Sequence, residues 1–195
     1  MSDSDSPPLK IVLGLGNPGP EYDGTRHNVG YAVLDLMAEE MGRSFLQRGR
    51  ALVARGERQG APYLLAKPTT YMNRSGRAAR DLIADADGPV ELIVLCDDFH
   101  LPLGRLRCRR KGSSGGQKGL ASVQECVPGR DIPRLRLGIG DPGRQPAEDF
   151  VLKRFKRGEE QEVQDMLRRA AEHLMDWIVD GDLDRLLNRA NSAVD

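Results

Sequence analysis

Apolar and polar positions along this chain keep distinct periods. Residues 9–15 form a short apolar run that ends among glycines, and residues 91–96 (ELIVLC) form another. Neither alternates with polar residues, so both are predicted to be strands covered on two faces. Between them, Val29, Val33, Leu34, Leu36, Met37 and Met41 recur at helical intervals, and Gly42 follows as a cap. Residues 51–58 and 62–66 read as strands on either side of Gln59-Gly60, a hairpin-like break. Residues 75–86 predict a helix beginning near Ser75, 120–126 a short helix, and 135–139 a further strand. The last third carries Val163, Met166, Leu167, Ala170, Ala171, Leu174, Trp177 and Ile178, the apolar face of a long helix that stops near Gly181, with 183–188 adding a further turn. Strands separated by helices predict an α/β class: a single-domain sandwich over 9–195, with a twisted mixed β-sheet covered by helices on both faces. Residues 1–8 (MSDSDSPP) are expected to form a disordered tail.

Length agrees with a single domain, because 195 residues can bury a full hydrophobic core. Charge changes the picture locally rather than globally. Lys plus Arg and Asp plus Glu are 29 each, so net charge gives no argument for a polyanionic partner. From Phe99 to Gln124, however, no acidic residue occurs, while Arg105, Arg107, Arg109, Arg110, Lys111 and Lys118 fall in that span. Such a stretch is either a solvated basic strand edge or a surface for phosphates. Cys96, Cys108 and Cys126 are an odd number without C-x-x-C spacing, which supports neither a zinc site nor a disulfide framework and is consistent with a reducing, cytoplasmic setting. No apolar run approaches the roughly 18 residues a membrane span needs, so no membrane partner is expected.

The first strand runs into Gly14-Leu15-Gly16-Asn17-Pro18-Gly19, which spells the dinucleotide-binding pattern. That motif requires the glycines to open a helix at once and an acidic residue at the end of a second strand about 20 positions later. Pro20, Asp23 and Gly24 instead keep the chain in a loop, and Asp35 and Glu39 fall within a helical pattern. The loop carries Asn17, Tyr22, Arg26, His27 and Asn28 at the end of a strand, where open α/β sheets place their sites. His27 is the best general-base candidate, with a helix-capping role as the competing reading. His173, within the amphipathic C-terminal pattern, reads as structural; His100 is open to either role. Asp97, delivered by the second buried strand, could accept from one ring nitrogen of His27 and leave the other free to take a proton from water. No G-x-S-x-G or H-E-x-x-H run occurs, so water activation by a His-Asp pair is favoured over covalent or metal chemistry.

Taken together, the stretches 14–30 (GLGNPGPEYDGTRHNVG), 67–76 (KPTTYMNRSG), 95–104 (LCDDFHLPLG), 112–120 (GSSGGQKGL) and 134–143 (RLRLGIGDPG) resemble, in order and spacing, the bacterial-type peptidyl-tRNA hydrolases. The segment 150–155 (FVLKRF) is similar to the family's stretch before its C-terminal helix, so the resemblance spans about 9–188. It implies a monomer that uses no cofactor or metal and cleaves the ester joining a peptide to the 3′-terminal ribose of tRNA. On this chain it implies His27 and Asp97 as the catalytic pair. Substrate contacts would come from Asn17, Tyr22, Asn28, Tyr71, Met72, Asn73 and Lys118, and tRNA phosphate contacts from Arg105, Arg107, Arg109 and Arg136. The family's glycine-rich run commonly reads G-H-N-G where this chain has Gly116-Gln117-Lys118-Gly119, so Lys118 stands where an asparagine contacts substrate. A lysine donates but cannot accept. His100 also replaces a commonly acidic residue. A non-catalytic RNA-binding relative of the same fold remains the alternative reading, with Lys118 as its sequence support.

Overall fold

A computed structural model describes residues 7–192; residues 1–6 of the expected tail and 193–195 of the expected domain lie outside the described residues. Seven strands form one sheet in the order β2-β3-β4-β1-β5-β7-β6. They are β1 (Leu9–Gly14), β2 (Leu46–Arg48), β3 (Ala51–Arg58), β4 (Ala61–Pro68), β5 (Val90–Asp98), β6 (Leu106–Arg109) and β7 (Arg134–Gly138). Pairing of β1 with β4 and β5, and of β5 with β7, is parallel; β2–β3, β3–β4 and β6–β7 are antiparallel. The sheet is therefore mixed, with its parallel strands in the middle. Helices α1 (Val29–Glu40) and α5 (Glu160–Asp180) cover one face, and α2 (Ser75–Ala84) and α3 (Lys118–Cys126) the other. Val12, Ile93 and Leu137 pack with Val33, Met166 and Leu174 on the first side, while Ile11, Leu13 and Val94 pack with Ala79, Leu82 and Leu120 on the second. Burial of both side-chain sets of β1 and β5 is why those runs show no polar alternation.

Two of the glycines that spell the dinucleotide pattern, Gly14 and Gly16, act by being small. A Cβ on Gly14 would lie 2.5 Å from the carbonyl oxygen of Gly30, and one on Gly30 would lie 2.8 Å from that of Leu15. A Cβ on Gly16 would meet the Tyr31 ring at 2.7 Å. The first turn of α1 thus presses directly on the end of β1, and only hydrogen fits at the contact. At the hairpin, Gln59 and Gly60 have φ of 50° and 82°, left-handed values that a two-residue turn of the right twist demands.

Two elements escaped the sequence pattern. Strand β2 is short and fully exposed, so it carries no burial signal. Helix α4 (Ala147–Val151) is too short for a helical period. The expected helix at 163–178 extends to Glu160–Asp180 because its first turn is polar, and Gly181, with φ of 67°, ends it as expected. Helix α6 (Leu183–Asn191) covers the outer edge of β6: the Cys108 amide donates to Asn191 Oδ1 at 2.9 Å, and Asn191 Nδ2 donates to the Cys108 carbonyl at 3.1 Å. A single side-chain amide here occupies the place of a neighbouring strand and closes an open edge. Among the described residues no helix is long and apolar enough to cross a membrane.

Candidate active site

Parallel pairing sets β1 beside β5, with Gly14 opposite Leu95, so the loops leaving both strands emerge on the same edge. A cleft with a cavity volume of about 490 Å³ lies there. The β1 loop brings Asn17 and His27 into its wall, β5 brings Asp97, and the segment after β4 brings Tyr71, Met72 and Asn73. Nδ1 of His27 and Oδ2 of Asp97 are 2.9 Å apart. With the carboxylate accepting, Nδ1 carries the proton and Nε2 is the unprotonated nitrogen available to the cleft. Asp97 is buried, whereas the imidazole retains partial exposure.

Asn17 is held from three directions. Its Oδ1 accepts from the Met72 amide at 2.8 Å, its own amide donates to Asn28 Oδ1 at 2.9 Å, and its carbonyl accepts from Asn28 Nδ2 at 2.9 Å. Because the side-chain oxygen is committed, Nδ2 is left as a donor toward the cleft. Asn28 is buried behind Asn17 and does not line the cleft; it fixes the loop instead. Tyr22 also lies outside the lining, in the turn whose carbonyl accepts from Thr25 Oγ1 at 2.7 Å. Tyr71 is exposed at the mouth, Asn73 is exposed beside it, and Met72 is buried.

Arg136 differs from the expectation of a free phosphate contact. Its Nη1 donates to Asp98 Oδ2 at 3.0 Å, and its Nη2 donates to the carbonyls of Ser113 and Ser114 at 3.1 and 2.9 Å. The neighbouring alternate residue of β7, Arg134, donates to the carbonyls of Gly112 and Ser113 at 2.9 and 3.1 Å and is almost wholly buried. Both guanidiniums hold the glycine-rich loop from beneath, since carbonyls turned inward need donors. Asp98 completes its contacts by accepting from the His100 amide at 2.9 Å, and the His100 side chain is exposed at the rim. Arg105, Arg107 and Arg109 lie elsewhere, along β6 and its groove against α6, which has a cavity volume of about 680 Å³. That groove and the cleft share no lining residue.

Several contacts of site residues were not legible in the chain. Arg26 is buried beside His27: it donates to the Ile139 carbonyl at 2.8 Å and to Glu159 at 2.6 Å, and its guanidinium lies 4.5 and 4.6 Å from the Phe150 and Phe155 rings. It ties the His27 turn to the segment that follows α4. Gln117 donates to Asp97 Oδ1 at 3.0 Å and caps α3 by accepting from the Leu120 amide at 2.7 Å. Lys118 is exposed and pairs at 2.7 Å with Glu148 of α4, so α3 and α4 meet across the cleft mouth. The Lys118 ammonium beside Glu148 lowers that carboxyl from its ordinary range. Only the position of Gln117 before a helix hinted at its capping role; its contact with Asp97 spans the fold.

Cys96, Cys108 and His173 are not set up to react. Burial pushes the Cys96 and Cys108 thiols up to about 12, so neither is a ready nucleophile. Burial, reinforced by Arg189 and Arg169, pushes His173 down to about 4, consistent with its expected structural place in α5. Among the described residues, no three His, Cys, Asp or Glu side chains cluster as a metal site.

Residues 11–195 match the family model described as peptidyl-tRNA hydrolase. A peptidyl-tRNA hydrolase of Carboxydothermus hydrogenoformans is 42% identical over 173 residues, covering 88% of this chain and 92% of its own length. One from Ligilactobacillus salivarius is 40% identical over 185 residues, covering 94% of this chain and 100% of its own. The crystal structure of peptidyl-tRNA hydrolase from Acinetobacter baumannii superimposes with a TM-score of 0.84 at 28% identity, covering 94% of this chain and 95% of that one.

Proposed function

Because this chain belongs to the peptidyl-tRNA hydrolase family, we propose that it hydrolyses the ester between the peptide and the 3′-terminal ribose of peptidyl-tRNA, with His27 as the general base. The observation that carries this reading is the contact of His27 Nδ1 with buried Asp97 at the wall of a cleft. In the proposed step, Nε2 of His27 takes a proton from water as the water oxygen attacks the ester carbonyl. Asp97 keeps the ring in the productive tautomer and favours the imidazolium that forms. Nδ2 of Asn17, whose oxygen is tied to the Met72 amide, is suited to donate to the developing oxyanion. The imidazolium then returns its proton to the departing ribose oxygen, leaving free tRNA and a peptide acid. An ester to a vicinal diol carbon is activated enough that a base and fixed donors suffice, so the step is drawn without a metal.

Tyr71, Met72 and Asn73 edge the side of the cleft where a peptide of any sequence would rest, which favours main-chain contacts over a selective pocket. Arg105, Arg107 and Arg109 supply the field for the tRNA backbone, where sequence-independent phosphate contacts dominate affinity. Asn28 and Arg136 serve as supports behind Asn17 and the glycine-rich loop, and Tyr22 acts from outside the cleft. We further propose that the monomer is the working unit. Incubating the purified protein with diacetyl-lysyl-tRNA tests the reading. Wild type should release the peptide, while His27→Ala should lose about 100- to 10,000-fold in rate with an unchanged melting temperature. Retained turnover in His27→Ala would sink the mechanism, and tRNA binding without cleavage by wild type would favour the non-catalytic RNA-binding reading.

A further inference from the structure

We propose that Gln117 is a positioning residue for the His27–Asp97 pair: its side-chain amide locks the rotamer of Asp97 and divides the carboxylate's hydrogen bonding with His27. This rests on the reading of His27 as the base. The orientation of the amide is determined by its own contacts. Oε1 accepts from the Leu120 amide at 2.7 Å, so Nε2 is the group that faces Asp97 Oδ1 at 3.0 Å and Met72 Sδ at 3.3 Å. Gln117 is 8% exposed, and Asp97 is 3% exposed. A carboxylate buried to that extent needs donors on both oxygens. Here Oδ2 takes the His27 Nδ1–H and Oδ1 takes the amide.

Two consequences follow from the chemistry of an amide. A primary amide does not titrate in the working range, so it steadies the carboxylate at every pH without adding charge. It also draws on the same negative charge that stabilises the His27 imidazolium. Without it, Asp97 would direct its full acceptor strength to His27, and the neutral ring needed for proton abstraction would appear only at higher pH. The remaining charged groups around the pair are already matched. Asp98 of β5 pairs with Arg136 of β7, Lys118 of α3 pairs with Glu148 of α4, and Arg26 turns away to Glu159. His100 lies exposed at the rim, and burial keeps the Cys96 thiol neutral. None of them donates to Asp97 Oδ1.

Gln117→Met removes both the cap and the donor, whereas Gln117→Ser keeps an N-cap acceptor for the Leu120 amide but is too short to reach Asp97. The pH profiles of kcat and kcat/KM for diacetyl-lysyl-tRNA cleavage separate the two roles. In both variants kcat at neutral pH should fall about five- to tenfold, the scale of one ordinary intramolecular hydrogen bond, with KM within about twofold. The acid limb should move up by roughly half a pH unit. An unmoved limb in Gln117→Ser, or a loss confined to Gln117→Met with a lowered melting temperature, would reduce Gln117 to a helix cap and overturn the proposal. His27→Ala measured alongside keeps the readings distinct. If it is inactive while the serine variant matches wild type, only the positioning role fails; if it is active, the base reading fails and the positioning role with it.

Discussion

Polar side chains in the cleft and those along strand β6 differ in what they already touch. In the cleft, Asp97, Asp98, Asn17, Arg136 and Gln117 are all buried, and each is engaged by another protein group. Along β6, Leu106 and Cys108 point inward while Arg107 and Arg109 point to solvent. Neither arginine makes an ion pair among the described residues. Arg110, by contrast, pairs with Asp184. Fixed, mutually satisfied groups suit chemistry, because a reacting atom must meet donors and a base already in place. Exposed cations on a strand edge suit a field, because attraction to a phosphate backbone tolerates small displacements. Each region is therefore expected to fail differently when altered.

The largest break is expected in the cleft. Asp97→Asn places an uncharged amide against Nδ1, which removes the charge behind the imidazolium and the preference for the reactive tautomer. Single-turnover cleavage should slow by about 100-fold or more while tRNA binding stays near wild type. Loss of binding instead would mean that Asp97 holds the site open rather than acting through His27.

Changes along β6 should do the reverse. Replacing Arg107 and Arg109 together by alanine should raise KM several-fold at moderate salt and leave kcat within about twofold. The slope of log affinity against log salt should fall by roughly one per arginine. An unchanged slope would show that these arginines face solvent during catalysis.

The Lys118–Glu148 pair lies between the two regimes, since it spans the cleft mouth yet both side chains are exposed. Exposed pairs contribute little to stability. Glu148→Gln releases the Lys118 ammonium to meet an incoming phosphate, so KM should fall about twofold at low salt, an effect that disappears at high salt. If Glu148→Gln leaves KM unchanged at every salt concentration, Lys118 makes no substrate contact.

Much of this architecture was legible in the chain. Two apolar runs without alternation announced strands buried on both faces, the Gln59-Gly60 break marked the hairpin, and the α5 face predicted a long covering helix. The motif order pointed to the family, and His27, Asp97 and Asn17 line one cleft. Less legible were residues whose partners are distant in sequence. Arg136 looked like a free cation because Asp98 and the Ser113 and Ser114 carbonyls are brought to it only by the β5–β7 pairing. Gln117 carried no visible link to Asp97, and the short helix α4, which supplies Glu148, has no period to read.

By itself, then, the sequence determined most of the element types, the family and the chemical inventory, because periodicity and motif spacing are local properties of the chain. Tertiary structure decided which polar groups are spent and which remain free. A guanidinium or amide is chemically the same wherever it stands; whether it supports a loop, orients a carboxylate or meets solvent depends on the groups that folding brings within about 3 Å, the reach of a hydrogen bond.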